Sequence, residues 1–153
     1  MRRSKTLIAT SIVAVIALGA CSSSAKPSSA KPLSEGKWKQ QASAICTQMY
    51  NDLNKLQDDT FGPNSPTPVP PNTPSADQLA AFAKQVVPVI KGAVASIDAL
   101  NEPEALKDGV KDLKTAALGD ATAIDTDPGI LGLASSPFVK TSTVGKRLGL
   151  TCL

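Results

Sequence analysis

The apolar residues of this chain recur at helical spacing, and this periodicity constrains the fold more than any other feature. In the first periodic segment, successive apolar positions lie three or four residues apart, at Trp38, Ala42, Ile45, Met49, Leu53 and Leu56. A second stripe comprises Leu79, Phe82, Val86, Ile90, Val94, Ile97 and Leu100. A third runs from Leu106 through Val110, Leu113, Ala117 and Ala121 to Ile124, and a short last one contains Phe138, Thr141, Val144 and Leu148. Such spacing places each set on one helix face, and no segment alternates with period two, so we predict an all-α fold: a small antiparallel bundle of three to four helices.

Local signals predict where these helices begin and end. Ser75 and Gln78 have the spacing of a capping box, which starts the second helix. Pro88 interrupts that helix and predicts a kink, because proline cannot donate the backbone hydrogen bond. Asp127-Pro128 predicts a break after the third helix, and Gly149 predicts a left-handed end to the last one.

The N-terminus has the organisation of an export signal. Arg2, Arg3 and Lys5 precede an uncharged run, LIATSIVAVIALGA, which spans residues 7–20 and is short for a membrane-spanning helix. The run ends in Leu18-Gly19-Ala20-Cys21, which resembles the lipobox of bacterial lipoproteins. The resemblance implies that residues 1–20 are a signal peptide cut between Ala20 and Cys21, and that Cys21 carries acyl chains such as palmitate. The alternatives are an ordinary secretory signal and a start-anchor helix.

The resemblance also implies a location and a membrane partner. The mature protein would be anchored to the cell membrane through the lipid on Cys21, on the extracytoplasmic face. The whole chain has 16 basic and 13 acidic residues, and removal of the three basic residues of the signal leaves 13 against 13. The mature chain is therefore formally neutral, and its charge gives no indication of nucleic-acid binding.

Cysteine usage predicts one disulfide bond. If Cys21 carries the lipid, Cys46 and Cys152 remain as an even pair in an exported chain, where disulfides are permitted. The alternative is two free buried thiols. The sequences Ala44-Ile45-Cys46 and Gly149-Leu150-Thr151-Cys152 are similar to those of small helical lipoproteins of actinobacteria, which implies a helical domain and the same pairing.

Two segments of low complexity divide the chain. Residues 21–33 contain the lipidated cysteine and a Ser/Ala/Lys/Pro-rich tether, and residues 34–153 form the helical domain. Within that domain, residues 60–74 contain six prolines and predict an extended loop between the first two helices. A proline-rich docking site is the functional alternative.

The composition excludes most catalytic chemistries. The chain contains no histidine, which removes Ser-His-Asp and Cys-His catalysis and the commonest nitrogen ligand of metals. Ser34 and Lys37 have the Ser-x-x-Lys spacing of penicillin-recognising enzymes, but the other motifs of that class are absent. Asp125 and Asp127 could offer oxygen ligands to calcium, although a helix end explains them as well. We therefore predict no catalytic residues, no metal and no cofactor.

Two functions remain after these exclusions. The first is a lipid-anchored, non-catalytic binding or structural module of the cell envelope, with another envelope protein as its partner. The alternative is a carrier of a small apolar ligand or lipid within the bundle. For the carrier, the small residues Gly92 and Ala93 beside Pro88 are the expected place for a cavity.

Overall fold

The computed structural model describes residues 31–62, 74–132 and 136–152, and 81% of these residues are helical. The four α-helices are α1 (Glu35–Phe61), α2 (Ala76–Asp98), α3 (Lys107–Thr126) and α4 (Val139–Arg147). Short 3₁₀ segments at Glu104–Leu106 and Pro128–Gly132 precede and follow α3. No β-strand occurs in the described ranges, and the predicted all-α bundle is confirmed.

Some predictions concern parts of the chain outside the described residues. These are the signal peptide, the cleavage site at Ala20, the lipidated Cys21 and the proline-rich residues 63–73. The described part begins within the predicted tether, at Lys31. The amide of Leu33 donates to the carbonyl oxygen of Asn101 at 2.9 Å, and the Leu33 side chain packs against the core, so this residue belongs to the folded domain.

The helix boundaries follow the predicted signals closely. The Ser75 hydroxyl accepts from the amide of Gln78, and the Gln78 side chain accepts from the amide of Ser75, which confirms the capping box. α3 ends at Thr126, immediately before Asp127-Pro128. α2 continues through Pro88 as one helix to Asp98, and α1 extends to Phe61, two residues into the predicted proline-rich loop.

Contacts between helix ends show that successive helices are antiparallel. The start of α1 meets the end of α2 through the Leu33–Asn101 hydrogen bond, and Phe61 at the end of α1 packs edge-on against Phe82 near the start of α2. α2 and α3 are joined near Asp98 by an ion pair to Lys114. α1 packs on α2, α2 on α3 and α3 on α4, whereas α1 and α4 do not pack extensively against each other.

Two apolar clusters form the core, one at each end of the bundle. The first unites buried residues of α2 and α3: Phe82, Ala83, Val86, Val87, Ile90, Ala117, Ala121 and Ile124. The second surrounds the fully buried Trp38: Ala42, Ile97, Val110, Leu113, Leu148 and Leu150. The Trp38 Nε1 atom is the one buried side-chain nitrogen or oxygen of the described residues without a hydrogen-bond partner.

α2 is the central helix of the bundle. Among the described helices, α2 alone is long and apolar enough, by length and composition, to cross a membrane. In its most apolar stretch of 18 residues, 33% of the residues are buried inside the protein. It contacts α1, α3 and the segment Pro128–Gly132, which is the position of a core helix.

After α4 the chain turns back along α1. Gly149 adopts a φ of 76°, as predicted for a left-handed helix end, and the amide of Leu150 donates to the carbonyl oxygen of Gly145 at 3.0 Å. The amide of Thr151 then donates to the Ser43 hydroxyl at 3.3 Å. Residues 148–152, which we call the C-terminal segment, therefore fill the space between α1 and α4 at the Trp38 end of the bundle.

The predicted disulfide holds this segment in place. Cys46 of α1 is bonded to Cys152, with a Cα–Cα distance of 5.9 Å and a sequence separation of 106. Because α1 and α4 lack extensive packing, this bond and the C-terminal segment are the main connection between the first helix and the end of the described chain.

Candidate functional site

A groove of about 590 Å³ lies between α1 and the residues that open α4. It exists because α1 and α4 do not pack against each other at this end of the bundle. The C-terminal segment occupies the space between them only as far as Cys152, and Cys152 lines the groove. The groove is thus the unfilled part of a longer slot, whose other part holds Leu148 and Leu150.

The floor and walls of this groove are mostly apolar. α2 contributes Phe82 and Val86, and the 3₁₀ segment after α3 contributes Leu131. α1 contributes Met49 and Leu53, which lie on one face because they are four residues apart. These five side chains offer hydrocarbon, ring and thioether surface without a hydrogen-bonding group other than the weakly accepting sulfur.

Polar groups lie along the two edges. On α1, Tyr50, Asn54 and Gln57 follow one another at helical spacing beside the apolar pair. Tyr50 is 56% exposed, which makes it an unusually accessible aromatic side chain. The opposite edge carries Ser136 and Ser142, and the Ser136 hydroxyl accepts from the amide of Phe138 at 3.2 Å.

A buried polar pair lies beside the groove and joins α3 to α4. Thr141, which lines the groove, donates its hydroxyl to the Asp120 carboxylate at 2.5 Å. Both residues are buried, with relative exposures of 6% and 7%. A buried carboxylate needs such a partner, because its desolvation would otherwise be uncompensated. The pair therefore fixes the start of α4, and with it one wall of the groove.

The predicted location of a ligand cavity is not supported. Pro88 and Gly92 are exposed, and an added Cβ at Gly92 would meet nothing within 4 Å. The space lined by Ala93 and Val94 measures about 30 Å³, which is room for about one water molecule. The larger groove shares Met49 and Thr141 with this small space and extends from there toward the start of α2, where Phe82 and Val86 line it.

The candidate catalytic and metal-ligating residues have local structural roles. The Ser34 hydroxyl accepts from the amide of Lys37 at 3.4 Å, so the Ser-x-x-Lys spacing is that of a helix cap. The Asp127 carboxylate accepts from the amide of Gly129 at 3.0 Å in a turn. Within the described ranges, no three Asp, Glu or Cys residues are grouped as a metal site.

Two lysines of α3 are paired with acidic residues. Lys107 forms an ion pair with Glu104, and Lys114 forms one with Asp98. The hydrogen bond that Lys114 donates to Asp98 raises the pKa of Lys114, and the hydrogen bond to Glu104 and the charge of Glu104 raise the pKa of Lys107. These lysines are therefore engaged within the domain.

Sequence analysis missed the groove and the buried pair. Asp120 lies seven residues after Leu113 and four before Ile124, which places a carboxylate on the buried stripe of α3. This spacing could have predicted the buried carboxylate from the sequence. Tyr50, the sole tyrosine, follows Met49 of the first stripe and extends its apolar face. The gap between α1 and α4 has no comparable signal, because it depends on how helices that are distant in sequence are spaced.

Comparison of the chain with protein-family models, curated proteins and solved structures gave no significant match. The resemblance to lipoproteins therefore stays a prediction from the sequence, and the function is argued from the groove and the sequence motifs alone.

Proposed function

We propose that this chain is a lipid-anchored binding module of the cell envelope, which acts by contact rather than by catalysis. The observation that carries the proposal is the groove between α1 and α4. It combines an apolar floor, exposed Tyr50 and polar edges, which is the composition of binding surfaces. The lipobox ending at Cys21 supports placement at the extracytoplasmic face of the membrane.

A stable scaffold around the groove supports a binding role. The disulfide fixes one end of the slot, and the Thr141–Asp120 hydrogen bond fixes the wall formed by α4. A surface held in this way loses little conformational entropy when a partner binds, which favours affinity.

The second candidate function, a carrier of a small apolar ligand, uses the same surface. The volume of about 590 Å³ lies within the range of roughly 300–1,000 Å³ that is typical of small-molecule sites. This observation favours a ligand over a purely structural role, although the groove lies at the surface and not inside the bundle.

Anchoring is tested by fractionation of cells that express the whole chain. The wild-type protein should be found in the membrane fraction and begin at Cys21 with added acyl mass. The Cys21→Ser variant should lose that mass and leave the membrane. Recovery of this variant in the membrane at the same mature start would contradict the proposal.

Binding is tested by a photo-crosslinking amino acid placed at Asn54, which lines the groove and is exposed. A matched position, Lys111, is exposed on α3 and does not line the groove. In intact cells, Asn54 should give a reproducible adduct that Lys111 does not give. Equal yields at both positions, or no adduct at either, would contradict a binding role for the groove.

A further inference from the structure

The filled part of the slot shows which side chains pack against its walls. Leu148 and Leu150 of the C-terminal segment are 7% and 4% exposed and belong to the second core cluster, which also contains Trp38 and Ala42 of α1. The backbone of this segment needs its own partners, as in the Thr151–Ser43 hydrogen bond. Cys152, bonded to Cys46 of α1, also lines the groove, so the open part continues along α1 from the place where the described part of this segment ends.

Aromatic and thioether side chains are concentrated at the open part. The chain has only five aromatic residues, and Tyr50, Phe82 and Phe138 all line the groove. Phe61 packs against Phe82 with a centroid distance of 5.1 Å. Met49 is the only methionine after Met1. Rings and a flexible thioether provide large, adaptable contact area for hydrocarbon.

No charged residue is among the described residues that line the groove. A charged ligand group would lose hydration there without gaining an ionic partner, which costs free energy. The polar side chains at the edges, such as Asn54 and Ser142, offer neutral hydrogen bonds. An extended peptide would find partners for its backbone only at these edges, because the floor of Phe82, Val86 and Leu131 offers no hydrogen-bonding group.

We propose that the groove binds a neutral amphiphile, with a single hydrocarbon chain on the apolar floor and an uncharged hydroxyl or ester group at the polar edge. This inference rests on the proposed function, since it names the occupant of the same groove. Single-chain glycerolipids and fatty alcohols have this chemistry. The uncharged head group distinguishes such a ligand from fatty acids and from cationic amphiphiles.

The test uses the mature chain, residues 21–153, with Cys21→Ser so that no attached acyl group competes, and with the disulfide formed. Met49 is the only methionine of these residues, so ¹³C labelling of its methyl group gives one signal from inside the groove. The probes share a ten-carbon chain: monodecanoylglycerol, decanoate and decyltrimethylammonium, each below its micelle concentration. We expect saturable shifts of the signal, with monodecanoylglycerol binding about tenfold more tightly than either ion.

Two neighbouring positions of α4 provide a matched control. Ser142 lines the groove, whereas Thr143 is exposed and does not line it. Ser142→Trp should fill the groove and abolish binding of monodecanoylglycerol, whereas Thr143→Trp should leave its affinity unchanged. Circular dichroism shows whether each variant is folded. Asn54→Ala, at an exposed position on the opposite edge, is a second variant and should weaken binding of the neutral probe.

The remaining outcomes separate this inference from the proposed function. Equal affinity for all three probes, or tighter binding of an ion, would overturn the neutral amphiphile. Absence of binding together with a protein adduct at Asn54 in cells would overturn it in favour of a partner protein and leave the proposed function standing. An adduct between Asn54 and residues 63–73 of the same chain would show an intramolecular occupant and overturn it as well. Absence of both binding and adduct would overturn both proposals.

Discussion

The bond between Cys46 and Cys152 spans 106 residues, so the free energy of unfolding should depend strongly on it. In the chain-entropy model, a loop of about 100 residues lowers the entropy of the unfolded chain enough to contribute about 4.7 kcal/mol. For a domain of this size, that loss corresponds to a fall in melting temperature of roughly 15–20 °C. Such a contribution is comparable to the whole stability of many small domains.

The perturbation is the double variant Cys46→Ala/Cys152→Ala, measured by urea unfolding with far-UV circular dichroism. The free energy of unfolding should fall by about 4.7 kcal/mol. The m-value should rise, because the unfolded chain without its cross-link exposes more surface. Reductant should destabilise the wild-type protein to the same level and leave the double variant unchanged.

Ser43→Ala is the matched control for this experiment. It removes the hydrogen bond to the amide of Thr151 but keeps the disulfide, and its cost should be about 1 kcal/mol. The comparison separates docking of the C-terminal segment from closure of the loop. A loss below about 1 kcal/mol in the double variant, or an unchanged m-value, would refute the argument from loop entropy.

Three further variants test individual contacts. Thr141→Val leaves the buried Asp120 carboxylate without its hydroxyl donor, and the free energy of unfolding should fall by about 1.5–3 kcal/mol in chemical denaturation. Gly109→Ala would place a Cβ 2.6 Å from Cδ2 of Leu148, and the overpacking should outweigh the gain in helix propensity and cost about 1 kcal/mol. Lys114→Met removes the ion pair with α2 and should cost about 0.5 kcal/mol at neutral pH. Because the hydrogen bond to Asp98 raises the pKa of Lys114 in the folded protein, the wild-type protein should keep this contribution at pH values below 10.5, the ordinary pKa of lysine. It should lose the contribution as the pH rises through the higher pKa of the folded state.

Each of these variants has a control on the same helix. Thr143→Val removes an exposed hydroxyl that bonds only to its own helix, and should change stability by less than about 0.5 kcal/mol. Gly119→Ala meets nothing within 4 Å and should stabilise the protein by about 0.5–1 kcal/mol. Lys111 is exposed and forms no ion pair with another described residue, so Lys111→Met should leave the free energy of unfolding at neutral pH nearly unchanged. Equal effects of a variant and its control would contradict the contact assigned to that variant.

The sequence by itself determined the helices, because helix formation depends on neighbours three and four residues apart. The stripe from Trp38 to Leu56, the capping box at Ser75 and the left-handed Gly149 could all be read in this way, and the structure has them. The number of cysteines was enough to predict the Cys46–Cys152 bond, because only these two remain once Cys21 is assigned to the lipid.

Only the tertiary structure decided where the groove lies. The groove depends on how α1 and α4 are placed relative to each other, and the C-terminal segment fills one part of the slot between them as far as Cys152. The contact between Asp120 and Thr141 likewise joins helices whose relative position no local pattern encodes. Helical periodicity reports which face of a helix is apolar, but whether another helix covers that face is a property of the packed chain. Here no other described helix covers the part of α1 that lines the groove.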